Sequence, residues 1–306
     1  MPSLLTPEEK VIFARFRNFP KLGSLRITDT WIVEWLSTEV DERRTGEKLF
    51  RWAESQWPDW AKIERCNSKN DVLDAIKHAT SYAAQCGRLP MLHIEAHGND
   101  QGISPRANAN SEEFLYWGEI TEPLQALNLA TRCNLLVMIA ACFGISGITA
   151  LNRGPLAPAV VIVGPKDKIS EKSLLDATKE FYRRIRDANA YLPEILQSVS
   201  AESGDVPFVD YSFVDIAYDS IVSDLIASLR PEVSRREKEQ LRDRLMDECG
   251  LTFDETQSGL AANPDLAVEA YQKIWDQLFC LDLFPENYEQ FGLDMAEISR
   301  VVRGNC

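Results

Sequence analysis

Two apolar blocks constrain this chain more than any other feature. Leu135-Leu136-Val137-Met138-Ile139-Ala140-Ala141 runs without a polar side chain, and Ala159-Val160-Val161-Ile162-Val163 follows after Gly154-Pro155. Both are far shorter than the ~20 apolar residues that a membrane-spanning helix needs. Neither has the period-two alternation of a strand with one wet face. Both therefore read as strands covered on two sides, as the strands of parallel sheets are. Weaker runs repeat the theme at residues 30–36, at residues 61–66 and at Met91-Leu92-His93-Ile94-Glu95-Ala96, which breaks at His97-Gly98-Asn99-Asp100. Between the runs lie segments with helical spacing. These are residues 47–56, a helix capped by Asn70 or Asp71 with Val72, Leu73, Ile76 and Ala79 on one face, residues 121–129, and a helix capped by Ser170 with Leu174, Leu175, Phe181 and Ile185 inward. Strands alternating with amphipathic helices predict an α/β fold with a mostly parallel central sheet flanked by helices.

The ends of the chain read differently. Thr6-Pro7-Glu8-Glu9 starts an N-terminal helix that Pro20 and Gly23 close. Beyond residue 200 the strand signals stop. Helices are expected over residues 214–229, from the capping box Ser234-Arg235-Arg236-Glu237 to Cys249-Gly250, from Asn263-Pro264 through Leu278, and after Asp294. The charge divides at the same place. Residues 1–200 carry 25 acids and 24 bases, whereas residues 201–306 carry 22 acids and 9 bases, so nearly all of the net −14 lies in the last third. The expected organisation is a helix over 1–23, a sheet domain over 24–200 and an acidic all-α region over 201–306.

This balance excludes several classes. A nucleic-acid binder needs a basic face, and an acidic surface is repelled by an anionic membrane. The N-terminus has no basic start followed by an apolar stretch, so no signal peptide is expected. Seven scattered Cys with no CxxC pair favour the reduced thiols of a cytoplasm and disfavour a structural zinc. Neither GxGxxG nor GKS/T occurs, so no cofactor and no metal is expected.

Two strands end in reactive residues, one at His97-Gly98 and the other at Ala141-Cys142. Ligands of open α/β sheets sit at the carboxyl ends of the strands. The separation of His97 and Cys142, 45 residues, leaves room for a crossover to an adjacent parallel strand. A thiolate attacks carbonyls, and a nearby imidazole activates the thiol and protonates the leaving amine. Gly98 lets the chain approach a substrate, the Gly98 and Cys142 amides are candidate oxyanion donors, and Gly144 and Gly147 keep the nucleophile turn uncrowded. Taken singly, His97 is an ordinary turn histidine and Cys142 a buried core thiol; their joint placement argues for chemistry. His93 reads as a packed, hydrogen-bonded residue, Trp117 as packing for the crossover or an aromatic that stacks on substrate, and the other six cysteines as structural or incidental.

The Ala141-Cys142-Phe143-Gly144 block with a His-Gly some 50 residues upstream resembles the caspase-fold cysteine peptidases (caspases, separases, legumains, gingipains). Ala140 stands where caspases carry Gln, so the chain does not resemble a caspase proper. Residues 135–147, the Val160-Val161-Ile162-Val163-Gly164-Pro165 strand and the helix through Phe181-Tyr182 are more similar to the CHAT branch, bacterial relatives found in defence or regulated proteolysis. The resemblance covers residues 24–200. It implies that His97 is the general acid/base, that Cys142 is the nucleophile, and that no third triad residue is required. It further implies a specificity pocket lined by the loops after the first strand and near the nucleophile, where Asp41, Arg44 and Asp167 lie. An acid there would select a basic residue and an Arg an acidic one. The implied function is endoproteolysis of a protein or peptide. The resemblance does not extend to residues 201–306, which read equally as a docking domain for a regulator or substrate with a basic surface and as a solvated cap packed on the sheet domain. The alternatives are a non-catalytic scaffold that binds its partner through the acidic region, and acyl transfer by the same dyad.

Overall fold

The computed structural model describes residues 25–37, 44–107, 109–144, 156–186, 192–202, 204, 208–229 and 264–303. The expected N-terminal helix, the Ser234 capping box with its helix, Asp41 and Gly147 lie outside the described residues.

The sheet unit begins with β1 (Asp29–Trp35), α1 (Thr45–Gln56), β2 (Ala61–Arg65), α2 (Lys69–Cys86) and β3 (Pro90–Gly98). Two short strands, β4 (Gly102–Ser104) and β5 (Leu115–Tyr116), lead into α3 (Trp117–Ala130) and β6 (Leu136–Ala140). β7 (Val161–Pro165), α4 (Glu171–Arg186), α5 (Leu192–Glu202) and β8 (Phe208–Ser212) complete it. The strand order is β2-β1-β3-β6-β7-β8. Every neighbouring pair on this path is parallel except β7 with β8. The α/β expectation and the mostly parallel sheet therefore hold.

Burial explains the apolar blocks. Every residue of β1, β6 and β7 is buried, because helices cover both faces. The Tyr82 ring of α2 lies 5.2 Å from Trp31 on one face of β1. Successive strand residues alternate faces, so Thr30 and Glu34 project to the other side. There α1 and α4 meet the sheet: the Thr45 hydroxyl donates to the Glu95 carboxylate, and the Tyr182 hydroxyl lies 2.9 Å from His93 Nδ1.

Three elements differ from the expectation. β3 does not break at His97. It continues through His97 and Gly98, which pair antiparallel with Ser104 and Ile103 of β4. The Asn99 side chain makes this reversal by accepting from the amides of Gln101 (2.8 Å) and Gly102 (3.2 Å). The cap of α2 is Ser68, not Asn70 or Asp71. Asp71 N–H donates to Ser68 Oγ (3.2 Å) and Ser68 N–H donates to Asp71 Oδ2 (3.1 Å), a reciprocal box that starts the helix at Lys69. Strand structure also extends past residue 200. β8 pairs with β7 along its whole length, and among the described residues the sheet unit runs to Ser212.

The second unit is helical among its described residues from Phe213 on: α6 (Phe213–Ser228), α7 (Pro264–Leu278), α8 (Tyr288–Phe291) and α9 (Met295–Val302). Trp275 anchors it, donating its indole N–H to the Phe291 carbonyl (2.7 Å), and Phe279 stacks on Phe291 at 5.1 Å. Asp294 caps α9 by accepting from the Glu297 amide (3.0 Å). Among the described residues of both units no helix is long and apolar enough to cross a membrane.

Candidate active site

β3 and β6 are neighbours, with Leu92 paired to Val137 and Glu95 to Ala140. His97 and Cys142 each lie two residues beyond the last residues of that register, Glu95 and Ala140. Both stand at the carboxyl ends of their strands, and both are half-buried. The two ends touch through backbone. A Cβ built on Gly98 would lie 2.7 Å from the Cys142 carbonyl oxygen and 2.9 Å from Ala141 Cβ. Asn99 N–H donates to the Gly102 carbonyl (3.0 Å), and the alternation of an antiparallel pair turns the Gly98 N–H away from β4.

The turn after Cys142 is tight and tied down. Phe143 adopts φ +56°, the left-handed region, which for a bulky residue costs of order 1–3 kcal/mol and needs outside support. That support is present on both sides. Gly144 N–H donates to the Ala141 carbonyl (3.0 Å), and Phe143 N–H donates to the Asp167 carbonyl (3.4 Å). The Cys142 thiol donates to the Ile169 carbonyl at 3.9 Å, so the segment after β7 holds both the turn and the sulfur. Gly144 is required sterically, since a Cβ there would lie 2.5 Å from the Ile139 carbonyl oxygen.

His97, Gly98, Cys142 and Phe143 line a cleft of about 650 Å³. Asn99, Gln101, Asn110, Phe114, Tyr116 and Lys168 also line it. The volume lies in the range of ligand pockets, ~300–1,000 Å³. The expected pocket residues fare differently. Arg44 is exposed immediately before α1, and Asp167 is exposed and reaches the turn after Cys142 through its backbone carbonyl. Neither lines the cleft, whereas Lys168, next to Asp167, does.

On the same face of the sheet, below His97, lies a buried polar network that sequence reasoning missed. His93, Glu95, Glu34 and Thr30 are each at most 4% exposed. Burying an unpaired ion costs several kcal/mol, so each needs a partner. His93 Nε2 is 2.7 Å from Glu95 Oε2, and His93 Nδ1 faces the Tyr182 hydroxyl, which is 3.3 Å from Thr30 Oγ1. His93 is the packed, hydrogen-bonded residue that its position in the strand implied. Glu34, paired in register with Glu95, accepts from the Glu47 amide (2.9 Å) at the start of α1. Burial pushes the Glu34 carboxyl above the usual carboxylate range, and the Glu95 charge adds to this, while the Glu47 N–H pulls the other way.

None of the described cysteines is in a disulfide, and Cys66, Cys133 and Cys280 are buried where Cys142 is half-buried. Burial pushes the Cys66 thiol up to about 12, with the charges of Asp71, Glu64 and Glu34 reinforcing it. Trp117 is buried at the start of α3, in the crossover, as its sequence context suggested. Tyr116 and Lys168 were not read as site residues. The Asn99-Asp100-Gln101-Gly102 turn signal was the clue that the chain returns past His97 and brings its following segment to the cleft. No protein-family model matches the chain, and no curated protein matches it.

Proposed function

We propose that this protein is a cysteine endopeptidase of caspase-like, CHAT-type architecture. In this reading Cys142 Sγ attacks a peptide carbonyl carbon as His97 takes the thiol proton. The tetrahedral oxyanion is held by the Gly98 and Cys142 amides. His97 then gives its proton to the leaving amine, an acyl-enzyme remains, and water hydrolyses it to regenerate the thiol. The observation that carries the reading is the matched register of β3 and β6, which brings an imidazole and a thiol to one strand-end cleft. A scaffold has no need of that coincidence. The acidic surplus of residues 201–306 is proposed to dock a regulator or substrate with a basic surface.

The test compares full-length wild type with Cys142→Ala and His97→Ala in a proteome-wide scan for newly formed N-termini. The expected result is a set of cleavages made by wild type and by neither variant. Identical N-terminal profiles for all three proteins would sink the assignment.

A further inference from the structure

The cleft that Cys142 lines also carries an unusual side chain. Of the large apolar residues of the sheet unit, among the described residues Tyr116 alone is exposed, at 45%, and it faces the cleft that holds Cys142. Ligand pockets are lined largely by apolar and aromatic side chains, so a ring lining the cleft stands where it can contact whatever binds there.

Its mounting is rigid. The Tyr116 N–H donates to Glu119 Oε2 (3.0 Å), and Glu119 pairs in turn with Lys69 Nζ (3.2 Å). The Phe114 ring braces Tyr116 edge-on, with centroids 5.0 Å apart and planes at 64°. Phe114 and the Leu115 backbone approach Gly102 so closely that a Cβ there would lie 2.7 Å from Phe114 Cε1 and 2.2 Å from the Leu115 carbonyl oxygen, so the ring packs against a position that only glycine can fill. A ring held in place before binding loses little entropy when it meets a ligand. Phe143 adds a third ring beside the thiol, and among the described lining residues there is no carboxylate.

We propose that Tyr116, braced by Phe114, is the specificity-determining wall of this cleft, and that it selects a large apolar side chain, aromatic or long aliphatic, in a peptide lying across Cys142. The proposal rests on the peptidase reading and names its substrate class. Stacking and burial of such a side chain against the ring supply the selectivity, and backbone hydrogen bonds supply the rest.

Binding is measured apart from chemistry, so that the two readings fail separately. Full-length Cys142→Ala protein is presented with an immobilised random heptapeptide library. Bound peptides are expected to be enriched in Phe, Tyr, Trp, Leu or Met at one fixed position. Adding Tyr116→Ala should cut that enrichment by about tenfold, and adding Tyr116→Phe, which keeps the ring, should retain it. Circular dichroism checks that each variant is folded, which a half-exposed position favours. No enrichment, or enrichment indifferent to Tyr116→Ala, overturns the proposal. Absence of Cys142-dependent cleavage is read in the separate N-terminal scan and counts against the peptidase assignment instead.

Discussion

The Gly98 Cα stands so close to Cys142 that a methyl group on it would lie 2.7 Å from the Cys142 carbonyl oxygen. The ends of β3 and β6 are thus in close contact, and the approach of the His97 and Cys142 segments depends on a missing side chain. Gly98→Ala must push the two ends apart. Displacements of this size are expected to lower kcat/KM by roughly 10- to 100-fold. The check is kinetics on a substrate from the cleavage profile, with a urea melt confirming that the fold survives. Unchanged activity would show that His97 and Cys142 do not depend on this approach.

Thiol labelling separates the cysteines by environment. Cys66 is buried with its pKa pushed up to about 12, and Cys133 and Cys280 are buried as well. Cys142 lies half-buried in an open cleft, and Cys86 is exposed. At pH 8, iodoacetamide is expected to modify Cys142 at least about tenfold faster than Cys66. His97→Ala should slow the labelling of Cys142 and leave that of Cys86 unchanged. Peptide mapping by mass spectrometry reads each site.

Glu34 gives the fold a pH dependence of definite sign. Its carboxyl has a higher pKa folded than unfolded, so its contribution to stability is fully present below the unfolded pKa and is lost as pH rises through the folded one. Glu34→Gln keeps an oxygen for the Glu47 amide. It is expected to raise the melting temperature at pH 7, with the gain shrinking as pH falls through the raised folded pKa and gone once pH is below the unfolded value of about 4.3. Glu47 is the control. Arg65 and Arg51 hold its carboxyl below the usual range, so its contribution is present above the unfolded pKa and is lost as pH falls. Glu47→Gln should therefore lower the melting temperature most at neutral pH.

Tyr182 links α4 to β3 through the buried His93. Tyr182→Phe removes the hydroxyl 2.9 Å from His93 Nδ1 and strands that nitrogen where no water reaches it. The expected cost is about 1–3 kcal/mol in urea unfolding, the range for a buried polar group left unmatched. A cost near zero would mean that the network is not holding the helix to the sheet.

Much of the sheet was legible because central strands of a parallel sheet must be apolar on both faces. The runs around β6 and β7 announced themselves that way, as did the strand-end positions of His97 and Cys142. β8 was not legible, because Phe208-Val209-Asp210-Tyr211-Ser212 is short, carries polar residues and is recognisable as a strand by its antiparallel pairing with β7. The Ser68 cap was overlooked in favour of residues two or three further on, although Ser68 and Asp71 have the spacing of a capping box. His93 was legible as a packed, hydrogen-bonded residue, but Glu34 and Glu95 looked like ordinary polar positions of strands. Their isolation from water depends on α1 and α4, which no local pattern reports.

The sequence by itself determined the layered α/β plan, the acidic surplus of residues 201–306 and the placing of a histidine and a cysteine at the ends of two apolar strands, because burial and periodicity are local properties. Tertiary structure alone decided that those strands are neighbours in matched register, that Lys168 rather than Arg44 or Asp167 lines the cleft, and that Tyr116 faces it. Each of these depends on which distant segments pack together, and side-chain spacing along a chain does not encode that.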